Sequence, residues 1–312
     1  MRNIKNIIKI VLTVSIVCFL FLGKTLARNV NWTWPRSTAE KQQLGQERLN
    51  QLIKLIQEGK RFPDIDSLLI VKNGYLVHES YFSGYTADRP HTLQSVSKSI
   101  TSALIGIALE QKQLYHMDES VLDFFPNMTG FRNLDKRKRA MTLKDLMTMR
   151  SGTDYHERGP NSPHFRLNDL QRGWTRFYLN RKMVSTPGTR FQYDSGAVIL
   201  LSSILKSRTG MHADAFARKY LFDPLLISGE WWYKNREGHP HTGGGLHMKP
   251  RDMAKFGLLY LQRGRWGNRQ LIPESWVQES FKLHVRFKRE RNYSIGYGYL
   301  WWILKPDPDG KG

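Results

Sequence analysis

The segment SLLIVKNGYLVHESYF, residues 67–82, constrains the fold before anything else does. Two runs rich in β-branched and aromatic residues meet at Asn73-Gly74, the dipeptide that most readily supplies the two left-handed conformations of a tight hairpin turn. An antiparallel hairpin is expected here. Upstream, Leu44, Leu49, Leu52, Ile53 and Ile56 recur at near-helical spacing and predict an amphipathic helix between Thr38 and about Lys60. Downstream, Ile100, Ala103, Leu104, Ile107 and Ala108 predict a helix from Ser95 to about Gln111, with one buried stripe and Ser95 as its N-cap.

The stretch 117–228 reads as helical and loop-rich, with TLKDLMTM, FQYDSGAVILLSSILKSRTG and ADAFARKYLFDPL its clearest elements. Pro250 then opens the helix PRDMAKFGLLYLQRG, a short helix covers PESWVQES, YSIGYGYLWWIL reads as one strand, and KPDPDGKG is a turn-rich end. Neither an internal repeat nor a low-complexity tract interrupts this order.

Length and composition suit one large domain, or a domain with a subdomain, around a real apolar core: 312 residues, 40% of them hydrophobic. At the N-terminus, Arg2, Lys5 and Lys9 precede an apolar run from Ile10 to Gly23, and Thr25-Leu26-Ala27 offers small residues for cleavage. Residues 1–27 are therefore expected to be a secretory signal, with an uncleaved membrane anchor as the alternative; 28–37 read as a linker and 38–312 as the folded domain. A periplasmic or secreted location follows. Cys18 is the only cysteine and lies in the apolar run without a lipobox, so the mature chain has no thiol, which excludes a cysteine nucleophile and a thiolate metal site.

The net charge of +21 becomes +17 once the four basic residues of 1–27 are removed. Such a charge attracts anionic cell-envelope surfaces such as phospholipid headgroups or cell-wall polymers. Nucleic acid is not the expected partner, because the basic residues are dispersed and no DNA- or RNA-binding motif is present. The densest cluster, Lys136-Arg137-Lys138-Arg139, reads as a solvated loop face.

Ser95-Val96-Ser97-Lys98 places a hydroxyl and an amine at i and i+3, on one helix face and within reach of each other. A lysine near the positive end of a helix and partly withdrawn from water has a lowered pKa and can accept the serine proton. The spacing alone is common: Ser203 and Lys206 repeat it, but inside an apolar helix, where the serine is expected to bond a backbone carbonyl. In FQYDSG, Tyr193 and Ser195 stand at a loop-to-helix junction, where a phenol can either relay a proton in a cleft or simply be a core tyrosine bonded to a carbonyl. His239, His241 and His247 lack a carboxylate or an i, i+4 partner and read as loop histidines, not as a metal site.

Taken in order, LLIVKNGYLVHESYF, the Ser95-x-x-Lys98 helix, MTLKDLMTMRSGTDY, PGTRFQYDSGAVILLSSILKSRTG, GGGLHMKPRDMAKFGLLYLQRGRWGNRQLIPESW and YGYLWWI resemble the penicillin-binding-protein and class C β-lactamase superfamily of serine hydrolases. The resemblance runs from about residue 40 to the end and is nearest to the branch of 6-aminohexanoate-dimer hydrolase and related esterases. It implies an α/β (α+β) fold: an antiparallel sheet flanked by helices, a mostly helical subdomain at about 117–228, and an active site between them. It further implies attack by Ser95 on an amide or ester, such as a β-lactam or a cell-wall peptide, with Lys98 and Tyr193 sharing the proton transfers. The substrate would be a small molecule or peptide, and no metal or organic cofactor is required. Ser195 and His241 are the expected substrate contacts, and Trp231, Trp232 and Tyr233, near the cleft by the same comparison, suit an apolar or linear acyl group.

The resemblance also implies three departures. Ser195 stands where the second motif usually ends in Asn. His241-Thr242-Gly243 imitates the third motif, yet it corresponds to the glycine-rich loop ahead of the RDMAKFG helix. With YSIGYGYLWWIL taken as the first strand after the helical part, the strands and closing helix that follow it in the family are expected to be missing, and with them one oxyanion donor, worth roughly a hundredfold to a thousandfold in rate. The alternative to a working hydrolase is a non-catalytic cell-envelope binding protein that keeps the fold, or a shortened, inactive hydrolase.

Overall fold

The computed structural model describes residues 32–59, 62–287 and 293–306. The chain divides into a short unit, Met1–Pro35, and a large one, Arg36–Gly312. In the short unit the rings of Trp32 and Trp34 meet edge to face, 4.9 Å between centroids. The expected signal segment lies outside the described residues, and among those described no helix is long and apolar enough to cross a membrane. Everything below concerns the large unit.

Strands β1 (Ser67–Lys72) and β2 (Tyr75–Tyr81) pair antiparallel, with Lys72 opposite Tyr75. Asn73 and Gly74 turn the corner at φ of 52° and 82°, the backbone that Asn-Gly was expected to supply. Helix α1 (Gln46–Gln57) precedes them and is shorter than its apolar periodicity suggested, because residues 39–43 form turns. On β2, Glu79 accepts hydrogen bonds from Arg36, at 2.7 Å, and from Nε and Nη2 of Arg251, at 2.5 and 2.8 Å, tying the hairpin to a helix far along the chain.

Helix α2 (Ser97–Glu110) differs from the expected single-striped helix: every residue from Ser97 to Ala108 is buried. It runs through the centre of the unit and so needs an apolar or hydrogen-bonded residue on each face. Thr101 bonds the carbonyls of Ser97 and Thr242, and Gly106 leaves room for the Trp276 ring, which a Cβ there would approach to 2.3 Å. Ser95 is not the N-cap. It lies in a 3₁₀ turn, Gln94–Val96, that precedes α2, and Val96 occupies the cap position without a side-chain bond.

The central stretch holds short helices: α3 (Lys136–Arg139), α4 (Leu143–Met147), α5 (Pro163–Asp169) and α6 (Trp174–Leu179), then the longer α7 (Ser195–Thr209) and short α8 (Ala213–Ala217). A capping box of Thr142 and Asp145 starts α4, and the Asp194 carboxylate caps α7 through the Ala197 N–H at 2.8 Å. In the basic cluster on α3, Lys136, Arg137 and Arg139 are exposed as a solvated face requires, and Lys138 is the exception. Lys138 is fully buried, and its ammonium donates to the carbonyls of Leu179 at 2.7 Å and Arg181, at and beyond the end of α6, and to that of Arg132 at 3.4 Å, ahead of α3. Ser203 on α7 is bonded to the Thr175 hydroxyl at 2.6 Å, not to a carbonyl, while Lys206 caps its own helix at Gly210, so this second Ser-Lys pair is split.

A three-stranded sheet of order β3 (His91–Thr92), β5 (Leu246–Met248), β4 (Trp231–Trp232) brings the segment before Ser95 against the glycine-rich loop. Helix α9 (Pro250–Leu261), strands β6 (Arg265–Trp266) and β7 (Arg269–Gln270), and helix α10 (Glu274–Ser280) follow. The expected single strand YSIGYGYLWWIL is instead a hairpin: β9 (Tyr293–Tyr297) turns back into β10 (Trp302–Pro306), and β8 (Val285–Arg286) pairs with β9. The turn comes where Leu300 takes φ of 62° and Gly298 passes so close to the Ser280 carbonyl that a Cβ would sit 1.9 Å from its oxygen. Tyr297 and Trp302 thereby face each other across the ladder and deliver Trp302 to the site described next.

Candidate active site

The site is assembled by α2, α7 and the loop 241–245. Thr242 pins the loop between the helices: its hydroxyl donates to the Val198 carbonyl at 2.6 Å, and its carbonyl accepts from Thr101 at 3.1 Å. Gly243 then passes so near α7 that a Cβ would lie 3.0 Å from the Ser195 carbonyl oxygen. A glycine is what lets that backbone come close enough for its own carbonyl to meet Lys98.

Lys98 is 1% exposed, in the first turn of α2, and its amine reaches two groups: the Ser95 hydroxyl at 3.0 Å and the Gly243 carbonyl at 2.5 Å. Burial is the largest influence on the amine and lowers its pKa to about 8, against opposing pulls from the Glu157 and Asp194 carboxylates. The bond to Gly243 has a chemical consequence. A carbonyl only accepts, so it holds one N–H of the lysine in either charge state and leaves the lone pair of the neutral amine free to face Ser95. Ser95 itself is exposed in the 3₁₀ turn, directly after Gln94, whose φ of 43° is uncommon for a side-chain-bearing residue. A buried base beneath an exposed hydroxyl is an arrangement that can activate a nucleophile.

Tyr193 lies just ahead of α7, with the Lys98 amine 4.9 Å from its ring centroid. Burial raises its phenol pKa, while hydrogen bonding with Ser95 and Trp302 works the other way. The ring is stacked on Trp302, with 6.0 Å between centroids and 22° between planes. Behind it, Asp194 is buried and takes hydrogen bonds from Tyr178 at 2.6 Å, Ser151 at 3.0 Å and the α7 N-terminus; burial nonetheless pushes its carboxyl up to about 6.

Ser95, Ser195 and His241 line a common cleft of about 580 Å³ with Glu157, Asn168 and His164. Ser195 is buried, and among the described residues no hydrogen bond joins its side chain to Lys98. Its backbone N–H donates to Glu157 at 2.7 Å. His241 is buried, and its Nε2 meets the Asn168 amide oxygen at 3.0 Å; burial lowers its pKa to about 4, so the ring is neutral across the physiological range. Asn168 continues to His164 at 3.2 Å, and His164 to the Tyr155 hydroxyl at 3.1 Å. The three loop histidines do not converge: His239 packs on His212, His247 stacks on Trp231 at 3.6 Å, and no metal-holding group of His, Cys, Asp or Glu occurs among the described residues. Of the expected acyl-binding aromatics, Tyr233 lines the cleft, Trp231 reaches its rim through His247, and Trp232 is buried in the core.

Thus the Lys98 amine meets the Ser95 hydroxyl and the face of the Tyr193 ring, Ser195 and His241 line the cleft with Ser95, and Tyr193 lines a neighbouring cavity. The residues that sequence reasoning passed over are Asp194, Glu157, Asn168 and Trp302. Asp194 carries a legible signal, an N-cap type directly before an apolar helix. Glu157 sits in the loop YHERGPNSP, where nothing in the pattern points to a cleft.

Residues 49–311 match the family described as Beta-lactamase. The 6-aminohexanoate-dimer hydrolase of Paenarthrobacter ureafaciens is 21% identical over 248 residues, 73% of this chain and 62% of the relative, so the chain spans under two thirds of that protein's length. Among solved structures, the hydrolase EstCE1, described as having promiscuous acyltransferase activity, superposes with a TM-score of 0.67 at 16% identity, over 83% of each chain. The octameric penicillin-binding protein homologue from Pyrococcus abyssi gives 0.64 at 20% identity, covering 81% of this chain and 64% of that one. At these identities the structural likenesses speak for the fold, and they agree with the family match. With its mixed α/β architecture and a match over residues 49–311, the chain belongs to the family described as Beta-lactamase.

Proposed function

We propose that the protein is a serine hydrolase that cleaves an amide or ester through an acyl-enzyme on Ser95. The observation that carries this reading is the 3.0 Å contact between an exposed hydroxyl and a buried amine whose pKa burial brings down to about 8. In the first half-reaction the Ser95 oxygen bonds to the substrate carbonyl carbon as its proton passes to Lys98. The tetrahedral intermediate collapses with cleavage of the bond to the leaving nitrogen or oxygen, and Tyr193, relaying the proton from Lys98, protonates that atom. In the second half, water attacks the acyl carbon and gives a proton back through the same pair, releasing the acid and restoring the Ser95 hydroxyl. His241, neutral and held by Asn168, lines the pocket without carrying charge. The enzyme is further proposed to work outside the cytoplasm, after export and cleavage near Ala27; recovery of the uncleaved chain in the cytoplasmic fraction would overturn that part.

A fluorophosphonate probe tests the chemistry. One covalent adduct is expected, mapped to Ser95 by peptide mass spectrometry and lost in Ser95→Ala, together with hydrolysis of a 4-nitrophenyl acyl ester. Labelling that persists in Ser95→Ala, or that maps to another serine, would overturn the assignment.

A further inference from the structure

A cavity of about 560 Å³ opens beside the β1–β2 hairpin, lined by Arg36, Ser37, Thr38, Lys41, Gln42 and Tyr75, and it shares no residue with the Ser95 cleft. Five of the six come from one segment that runs onto β2. Arg36 forms a parallel bridge with Leu76, the Ser37 N–H donates to the Leu76 carbonyl at 3.4 Å, and the chain then coils through the turns of 39–43. The hairpin is fastened to this coil, since Asn73 donates to the Gln42 side-chain oxygen at 2.9 Å and Lys72, opposite Tyr75, donates to the Gln43 carbonyl at 3.4 Å.

The direction of these bonds decides what the cavity can hold. Asn73 donates to Gln42, Gln42 donates onward to Ser37 Oγ at 3.0 Å, and the Lys41 N–H donates to Thr38 Oγ1 at 3.2 Å. Both hydroxyls are used as acceptors, and among the described residues neither donates, so each keeps its proton free to give. The Lys41 ammonium is exposed and makes no ion pair among the described residues. Arg36 gives one N–H to Glu79, a carboxylate it shares with Arg251, and keeps its other donors. Tyr75 adds an exposed phenol. No carboxylate lines the cavity. Its wall offers two cations and three hydroxyls, and the one amide oxygen on it, that of Gln42, is already satisfied by Asn73.

We propose that this cavity is a phosphate-binding site, taking the phosphate group of a monoester or a diester. A wall of donors suits a ligand made of acceptors, and a metal cation finds neither a carboxylate nor a free amide oxygen here. Among anions, phosphate presents oxygens in several directions, which matches donors spread over a guanidinium, an ammonium and hydroxyls; the guanidinium can pair two of its N–H groups with two phosphate oxygens, and the ammonium acts as a point charge. The volume leaves room beyond the anion for the group that carries it. That group is either the rest of a lipid headgroup or a soluble phosphorylated compound. The site goes beyond the acyl-enzyme reading and stands without it, because none of its residues belongs to the Ser95 cleft.

Calorimetric titration of the purified protein with inorganic phosphate at constant ionic strength tests the site, alongside co-flotation with phosphatidylglycerol vesicles. Ser37→Ala/Lys41→Gln is expected to weaken binding roughly tenfold or more, since it removes a charged donor and a hydroxyl. Lys54→Gln, which removes an equal charge from an exposed position on α1 outside the cavity, should leave binding unchanged. Tyr75→Phe takes away one exposed O–H and should weaken binding by about threefold, and it carries the test should the double variant fail to fold. Co-flotation that the double variant loses and Lys54→Gln keeps assigns the phosphate to a lipid headgroup. Saturable phosphate binding without co-flotation assigns it to a soluble phosphorylated compound, and either result supports the site. Absence of both kinds of binding in wild type would overturn it, and so would equal weakening by Lys54→Gln and by the cavity variants, which would show attraction to net charge alone.

Discussion

On the proposed acyl-enzyme mechanism Lys98 would set the pH behaviour of the site, because only its neutral form can take the Ser95 proton. With its pKa lowered to about 8 by burial, the competent fraction rises with pH: below about 8, kcat/KM should drop about tenfold per unit, and above it the curve should flatten. Lys98→Met, which fills the same space without a base, should cost roughly a hundredfold to ten-thousandfold in kcat/KM at pH 8 and above, measured on a neutral ester, and the gap should narrow as pH falls and wild-type Lys98 is protonated. Glu157 allows a finer check. Its carboxylate raises the Lys98 pKa, so Glu157→Gln should move the rise in activity to lower pH while the amide oxygen keeps the bond to Ser195; an unmoved profile would mean that another group controls the limb. The closeness of Ser95 and Lys98 was readable as local geometry, although Ser95 sits in a 3₁₀ turn ahead of the helix; what singled this pair out from Ser203 and Lys206 was the order of the motifs around it. Glu157 was not readable, because it gains meaning only when a loop folds back onto the start of α7.

At the scale of the element, α7 and α3 carry the charges that the pattern hid. Asp194 caps α7, accepts from Tyr178 and Ser151, and stands directly behind Tyr193, so the helix start and the phenol are placed by the same carboxylate. Its folded-state pKa, raised by burial to about 6, lies above the unfolded value of about 3.9. The folded state thus binds the proton more tightly. This group favours folding most below about pH 4, and that contribution is lost as pH rises to about 6 and stays lost above it. Asp194→Asn should flatten stability over this window in denaturant melts followed from pH 4 to 7. Asp194→Ala should cost roughly 1–3 kcal/mol, because the cap goes and the buried Tyr178 hydroxyl loses its partner. Lys138 does comparable work for α6: with the ammonium replaced in Lys138→Met, the carbonyls of Leu179 and Arg181 lose a buried donor, and a loss of about 2–4 kcal/mol is expected by urea denaturation. The Asn73-Gly74 hairpin and the Pro250 start of α9 were readable because each is decided by the conformational preference of one or two residues. The burial of Lys138 was not, since four consecutive basic residues look alike until one meets the end of a helix some forty positions away.

On the scale of the whole molecule, what the local pattern could not give is how distant segments are fastened, and Glu79 is the clearest fastening. The β1–β2 hairpin and the centre of α2 were each foreseeable, and so was α9; that α9 would reach β2 through Arg251, with Arg36 on the same carboxylate, depends on segments more than a hundred and fifty residues apart. The same long reach explains why YSIGYGYLWWIL reads as one strand and folds as two: its turn is fixed by the Ser280 carbonyl of α10, not by a turn dipeptide within it. Burial disfavours ionising Glu79, but the bonds from Arg251, Tyr81 and Arg36 outweigh it and hold the carboxyl down to about 2. A depressed folded-state pKa stabilises the fold above the unfolded value of about 4.3, and that stability is lost as pH falls from there through about 2. Wild type should therefore lose stability from this one group as pH falls from about 4 to 2, by less than the shift alone would imply because solvent screens the pair, whereas Asp194 acts in the opposite direction at higher pH, between about 6 and 4. Glu79→Gln keeps the shape but not the charge. Melts of the variant should be less stable than wild type near neutrality and converge with it by about pH 2; a gap that stays constant with pH would show that the carboxylate contributes packing alone, and that the hairpin is held to α9 by something other than charge.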